Sequence, residues 1–298
     1  MDLCLPAEKL KDHGIKVKTD ATGAECTTFR TGGPLSLLAE PETVEQAAYA
    51  LSLFEEDGVD YFVIGNGSNL LIPDEGSGKA FLRLSGELKD FSIDKGVLKC
   101  GAGASLAAAA KYTVTEGFMG LEWASGIPGT VGGAIAMNAS AYGGETKQTL
   151  RRVTAFCGGE VRVIDVDPDK MSYRKSEYSF PKMTVLEAEF ELAPDDGGAR
   201  ERMEQYNAKR KSSQPLNYPS AGSTFKRPQG YYAGALIEQA GLKGARVGGA
   251  SVSGKHAGFI INDNGATSKD VMELMRVVQD KVSERFGVTL EPEVIILK

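Results

Sequence analysis

The stretch Gly126-Ile127-Pro128-Gly129-Thr130-Val131-Gly132-Gly133-Ala134-Ile135-Ala136-Met137-Asn138-Ala139-Ser140-Ala141-Tyr142-Gly143-Gly144 constrains this chain most. Glycines and small residues alternate there with Ile127, Val131, Ile135 and Met137, which need burial that a flexible loop does not offer. A segment of this kind stays ordered when its bare backbone lies close against something flat, such as an aromatic ring or a diphosphate. A shorter cluster, Ile64-Gly65-Asn66-Gly67-Ser68-Asn69-Leu70-Leu71, follows the strand-like run Tyr61 to Ile64. Successive N–H groups in such a turn form a concavity that binds anions, and Ser68 and Asn69 add donors. An ordinary tight turn has the same signature, so both readings stay open at this point.

Around these clusters the apolar pattern predicts an α+β chain. Thr43 with Gln46 three residues on is a capping-box pattern. Val44, Ala47, Ala48, Leu51 and Phe54 then form a helical stripe that Gly58 stops. From Ala80 to Leu192 short strand-like runs alternate with turns: Ala80 to Leu84, Val97 to Cys100, Val153 to Phe156, Val161 to Val166 and Thr184 to Leu192. A helix at Ser105 to Glu116 interrupts them. This predicts a mostly antiparallel sheet. Ala193 to Gly198 is polar, rich in breakers and reads as a linker. Beyond it come a charged helix to about Lys211, a helix around Tyr232 to Ala240, a helix from Ser268 that Gly287 stops, and a closing strand from Val294 to Leu297. The expected domains are 1–198, with subdomains of about 1–79 and 80–198, and 199–298.

Composition narrows the function. The net charge is -6, and no long basic run occurs, so nucleic acid is not an expected partner. The triplet Lys209, Arg210 and Lys211 reads as a solvated helix face. Cys4, Cys26, Cys100 and Cys157 form no C-x-x-C, and His13 and His256 are the only histidines. No metal site and no Ser-His-Asp triad is expected. The start MDLCLPAEKLKDHG lacks a signal peptide's apolar core, and no apolar run reaches bilayer length. A cytoplasmic protein with reduced thiols is expected.

One segment comes close to a dinucleotide-binding fingerprint. Gly101-Ala102-Gly103-Ala104-Ser105-Leu106 follows a strand and opens a helix, like the start of the Rossmann G-x-G-x-x-G. The third glycine is Leu106, however, and Glu122 stands at no obvious strand end where the ribose-binding acid belongs. A dinucleotide-binding fold of that type is therefore disfavoured.

Taken in order, the two glycine clusters, Tyr173-Arg174-Lys175-Ser176, Ala221-Gly222-Ser223-Thr224-Phe225-Lys226, Leu236-Ile237-Glu238-Gln239-Ala240-Gly241-Leu242-Lys243-Gly244, Lys255-His256-Ala257-Gly258-Phe259-Ile260-Ile261-Asn262 and Leu290-Glu291-Pro292-Glu293-Val294 resemble the UDP-N-acetylenolpyruvoylglucosamine reductase family. The resemblance runs from near residue 20 to the C-terminus. The glycine segments alone would indicate only an FAD-binding domain of the vanillyl-alcohol-oxidase type; the later segments are particular to the reductases. The resemblance implies a two-part FAD-binding domain followed by a smaller α+β substrate domain. It implies non-covalent FAD, NADPH as hydride donor and a UDP-sugar substrate, whose enolpyruvyl group is reduced in peptidoglycan precursor synthesis. A monomer that touches no membrane is expected.

Residue by residue, the resemblance assigns Gly65, Asn66, Gly67, Ser68 and Asn69 to the FAD pyrophosphate. It assigns Gly126, Ile127, Pro128, Gly129, Thr130, Gly132 and Gly133 to the flavin and its diphosphate. On this reading Gly67 excludes a β-branched side chain because its backbone approaches a phosphate. Arg174, Ser223 and Glu293 match the family's catalytic positions. An arginine suits the substrate carboxylate, and a polarised serine hydroxyl can deliver a proton to carbon. Glu293 can share the carboxylate if it is protonated, which needs a raised pKa. Read without the resemblance, these three are a surface ion pair, a turn hydroxyl and a solvated strand residue. Lys226 and Arg227 are expected at the substrate's nucleotide end, where Arg227 replaces an asparagine common in the family. The inserted loop with a clamping tyrosine, found in longer members, is missing, so the chain resembles the shorter subclass. His256 is expected to be structural. Two alternatives remain: another FAD-dependent oxidoreductase of this fold, or a non-catalytic nucleotide-sugar-binding protein. Neither glycine cluster contains the histidine or cysteine that would tether FAD covalently.

Overall fold

The computed structural model describes residues 3–297; Met1, Asp2 and Lys298, at the ends of the two expected domains, lie outside them. The chain forms two compact units. The first comprises the residues up to Thr19, Ser36–Gly65 and Gly78–Lys209. The second comprises Asp20–Leu35, Asn66–Ser77 and the chain from Arg210 onward. The expected boundaries at 79 and 198 thus differ from a division in which two early segments join the C-terminal part.

In the first unit the predicted strands form a five-stranded sheet. Along it lie Glu160–Asp165, Leu150–Cys157, Thr184–Glu191, Val97–Gly101 and Phe91–Asp94, each antiparallel to its neighbour. A four-stranded sheet holds Lys16–Lys18, Leu35–Glu40, Ser77–Leu82 and Tyr61–Val63, with Tyr61–Val63 parallel to Ser77–Leu82. The helix Val44–Glu56 begins where predicted: Thr43 Oγ1 accepts the Gln46 N–H at 3.2 Å. The reciprocal arm of the box moves one residue back, because Gln46 Oε1 takes the Glu42 N–H at 2.8 Å. Ala47, Ala50, Leu51 and Phe54 bury one face of this helix in a core that includes Leu37, Leu82, Leu98, Ile135, Val153 and Phe190.

Val97–Gly101 is antiparallel to both neighbours, so no parallel βαβ crossover exists at this point. Gly101 is required for another reason: a Cβ there would fall 2.6 Å from Leu88 Cα. The presumed linker is also structured, since Ala193–Pro194 pairs with Phe118–Met119. The charged helix Ala199–Ser213 follows. Its Arg202 bridges the buried Glu122 (2.8 Å) and Asp196 (2.9 Å).

The second unit is built on the helix Ser268–Phe286. Val271, Leu274, Met275, Val278 and Val282 face its core beside Phe29, Leu71, Ala250 and Val252. Thr267 and Asp270 form the capping box, and Gly287, at φ 67°, ends the helix in the left-handed region that glycine adopts without strain. A three-stranded antiparallel sheet, Arg246–Val247, Ala250–Val252 and Ile260–Asn262, packs on this helix. The early segments are tied in by hydrogen bonds. Asp74 accepts the N–H groups of Ser268 (2.7 Å) and Lys269 (2.9 Å), which places a carboxylate on the helix N-terminus, where it is stabilising. Ile295–Ile296 lies parallel to Leu70–Leu71.

Candidate active site

The long glycine stretch is ordered by its own chain. Ser105 and Thr130 form a β-bridge: Leu106 N–H donates to Gly129 O (3.1 Å) and Val131 N–H to Ala104 O (2.9 Å). Gly132 N–H donates to Ala102 O (2.8 Å), and a Cβ at 132 would press the Ala102 Cβ at 3.1 Å. Thr130 then caps the short helix Val131–Ala136 by accepting the Gly133 N–H at 3.2 Å. The same Thr130 fills the space beside Gly65, where a Cβ would meet its Cγ2 at 3.1 Å. Gly65, Thr130, Gly132 and Gly133 are therefore brought together in the first unit. Ile127 N–H closes a turn onto Ala124 O, which sets Gly126 and Pro128 at the entrance of the stretch.

Arg174 sits at the tip of a two-residue hairpin between Met171–Ser172 and Lys175–Ser176. Its φ is 55°, a strained value for a residue with a side chain. Its Nη1 donates to Ser140 Oγ at 2.9 Å, and its guanidinium lies 4.9 Å from the Tyr173 ring centre. Asn138, fully buried and itself at φ 39°, ties the hairpin down. Its Nδ2 donates to Ser172 O (3.2 Å) and Glu145 Oε2 (3.0 Å), and its Oδ1 accepts the Lys147 N–H (3.1 Å). Asn138 and Ser140 were not among the expected site residues. The available signal was an asparagine inside a glycine-rich stretch, since asparagine tolerates the left-handed region best after glycine.

In the second unit Gly67 is buried at φ 59°. A Cβ there would collide with the Cys26 carbonyl oxygen and lie 2.8 Å from Thr27 Cα. The glycine is thus required by the packing of its own chain, whatever its N–H binds. Thr28 N–H donates to Gly67 O (3.3 Å), and Thr28 Oγ1 donates to Ser220 O (2.7 Å). Asn69 Nδ2 reaches Glu293 O at 3.0 Å. Glu293 N–H donates to Thr224 O at 2.9 Å, and Phe225 bridges Pro292. Asn69, Ser223 and Glu293 therefore converge on one corner. Lys226 follows on the same ladder, its N–H on Glu291 O (2.8 Å) and its Nζ 3.2 Å from Glu291 Oε2. That pair is solvent-exposed and contributes little stability. Arg227 lies over the Tyr232 ring at 4.0 Å, a cation–π contact.

Both units present unused donors. The N–H groups of Gly129 and Thr130 in the first, and of Gly67 and Ser68 in the second, donate to no described residue. Thr130 and Gly67 are themselves buried. Buried N–H groups are normally paired, and each of the two pairs, taken by itself, fits the oxygens of a phosphate such as those of an FAD pyrophosphate. Among the described residues no group of three or more His, Cys, Asp or Glu side chains is placed to hold a metal ion. Nor is any helix long and apolar enough to cross a membrane.

Known proteins resemble the chain throughout. Residues 35–165 match an FAD binding domain, and residues 214–297 match the C-terminal domain of UDP-N-acetylenolpyruvoylglucosamine reductase. A UDP-N-acetylenolpyruvoylglucosamine reductase of Alkaliphilus oremlandii is 41% identical over 300 residues, 99% of this chain and 94% of the relative. The crystal structure of UDP-N-acetylenolpyruvylglucosamine reductase from Thermus caldophilus superposes with a TM-score of 0.83 at 35% identity, covering 95% of this chain and all of that one. A glucooligosaccharide oxidase from Acremonium strictum shares the fold alone, at 15% identity and a TM-score of 0.50 over 96% of this chain and 60% of the oxidase. By sequence along almost its whole length, and by fold, the chain belongs to the UDP-N-acetylenolpyruvoylglucosamine reductase family.

Proposed function

We propose that this protein uses FAD and NADPH to reduce the enolpyruvyl group of UDP-N-acetylglucosamine-enolpyruvate, giving UDP-N-acetylmuramate for peptidoglycan precursor synthesis. The observation that carries this reading is the 41% identity over 99% of the chain to a protein of that name. On this reading the earlier part of the chain holds the cofactor, and the part from about 199 holds the substrate. A cytoplasmic, monomeric protein with non-covalently held FAD belongs to the same proposal.

The chemistry that bound FAD would supply is transfer of a hydride from NADPH to the enolpyruvyl double bond. The residues of the chain supply the rest. The N–H groups of Gly129 and Thr130 in the first unit, and separately those of Gly67 and Ser68 in the second, would hold phosphate oxygens. Arg174 holds the substrate carboxylate and stabilises the negative charge that develops on it when hydride arrives. Its guanidinium is pre-oriented by the Ser140 hydroxyl. Glu293, in its protonated form, would be a further donor to that carboxylate. Ser223 Oγ gives its proton to the neighbouring carbon, completing addition of hydride and proton across the double bond. Lys226 and Arg227 face the nucleotide end.

The test is optical. The purified protein is expected to be yellow, to bleach with NADPH without oxygen, and to regain its colour when the enolpyruvyl sugar nucleotide is added. Acid precipitation should leave all the flavin in the supernatant. A bleached protein that this substrate does not reoxidise would favour another flavin-dependent reductase of the same fold.

A further inference from the structure

We propose that His256 is a positioning residue for the Ser223 corner, acting through the backbone of Gly258 and Thr224. This rests on the assignment of proton delivery to Ser223 made above.

The connections run through four hydrogen bonds. His256 Nδ1 accepts the Gly258 N–H at 3.1 Å. Gly258 O accepts the Thr224 N–H at 2.8 Å, and Thr224 Oγ1 accepts the Ile260 N–H at 3.0 Å. Thr224 O in turn accepts the Glu293 N–H at 2.9 Å. Ser223 precedes Thr224 directly, so the residue that the imidazole pins indirectly is the one that joins both groups of the corner.

The ring itself is firmly seated. It packs edge-on against Phe259 with centroids 4.9 Å apart. Its Cε1 occupies the space that side chains at 234 and 258 would need: a Cβ would come within 3.2 Å at the first and 3.0 Å at the second. The turn that carries the ring is held by Ser253 Oγ, which accepts the N–H groups of Lys255 (3.2 Å) and His256 (3.3 Å). The charged groups facing the ring are Glu238 and Lys243, which pair with each other at 2.6 Å. Lys255 next to it donates from Nζ to Lys211 O.

Because Nδ1 is the acceptor, the neutral ring carries its proton on Nε2. A second proton would go to Nδ1 and set one N–H against another, so the bond to Gly258 exists only with a neutral imidazole. Burial holds the His256 pKa below its usual 6.5, with Lys243 adding to this effect, while a backbone hydrogen bond and Glu238 oppose it. The pin is therefore closed at neutral pH and opens as the solution becomes acidic.

The experiment uses the FAD-loaded, full-length protein and the variants His256→Ala and His256→Asn. Asparagine can put Oδ1 where Nδ1 stood, and it does not titrate. His256→Ala is expected to slow reoxidation of the reduced flavin by the enolpyruvyl substrate about tenfold or more, with reduction by NADPH unchanged. His256→Asn should recover most of that rate and lose the wild-type decline below pH 6.5. Protection of the Gly258 and Thr224 amides, taken as hydrogen exchange relative to an unstructured amide at the same pH and measured without substrate, should fall in the alanine variant and in the wild type at low pH, and stay high with asparagine. Asparagine behaving like alanine in both rate and exchange would overturn the proposal. So would an alanine variant with unchanged amide exchange. Ser223→Ala, run alongside, separates the two assignments. If it leaves reoxidation intact while the exchange results hold, the role of Ser223 fails and the His256 pin stands.

Discussion

Asn69, in the glycine-rich turn, donates from Nδ2 to the main-chain oxygen of Glu293, 224 residues further along, at 3.0 Å. Glu293 is thereby held from two sides, since its N–H also donates to Thr224 O. Asn69→Ala removes one of these anchors. A single net hydrogen bond contributes about 1 kcal/mol, so a small loss of stability is expected in urea titrations. A larger loss is expected in the rate at which substrate reoxidises the flavin. Asn69→Asp should be worse on both counts, because it sets a carboxylate against a carbonyl oxygen. Aspartate and alanine variants with wild-type reoxidation rates would remove Asn69 from the machinery.

Gly67 makes a sharper stability test. Its φ of 59° already disfavours any side chain, and a Cβ would strike the Cys26 carbonyl. Gly67→Ala is expected to destabilise the second unit by about 2 kcal/mol or more. Because the cause is the chain's own packing, the loss should persist in protein stripped of flavin. Thermal unfolding with and without FAD checks this. A penalty seen only with FAD present would mean that the glycine serves the ligand.

Local pattern made the regular elements readable, and long-range pairing hid the rest. The helices Val44–Glu56, Leu106–Thr115 and Ser268–Phe286 begin at Thr43, Ser105 and Thr267, each of which accepts an N–H of the first turn. Such caps are visible over four residues. The antiparallel strands also showed in short apolar runs. By contrast, Asp74 caps a helix from 194 residues away, and nothing near Asp74 signals it. The same holds for Thr28, which bonds Ser220, and for Asn262, which bonds Phe29 O. These contacts are what draw 20–35 and 66–77 into the second unit. At the candidate site, the resemblance supplied Arg174, Ser223 and Glu293, whereas Asn138 and Ser140, which orient the Arg174 hairpin, emerge only from the fold.

Glu40 should set part of the acid sensitivity of the first unit. It is buried beside Arg83 (2.6 Å) and Lys18 (3.0 Å). Burial alone would raise its pKa, but the two cations outweigh it and hold the carboxyl below 4.5. A carboxylate with a folded-state pKa below its unfolded value stabilises the fold above the unfolded pKa, and that contribution disappears as pH falls through the folded one. Glu40→Gln cannot titrate. Denaturation from pH 7 down to about 3 is therefore expected to show a less stable variant at neutral pH and a shallower decline below about pH 4.5. Parallel curves for wild type and variant would assign the acid limb to other groups.

Ser223 separates the two halves of the reaction. Reduction of flavin by NADPH places no proton on the sugar substrate, whereas reoxidation by the enolpyruvyl group requires one on carbon. Ser223 follows the left-handed Gly222 and precedes Thr224, whose amide, hydroxyl and carbonyl are all bonded within the second unit. Its backbone is thus fixed while its side chain remains open to substitution. Ser223→Ala is expected to leave flavin reduction nearly unchanged and to slow reoxidation by about 10²–10⁴-fold, the usual worth of a positioned acid. Ser223→Cys, close in shape and more acidic, should recover part of that loss. Stopped-flow absorbance of the flavin in each half-reaction measures both effects. Equal slowing of the two halves by alanine would mean that Ser223 shapes the corner and the proton comes from another group.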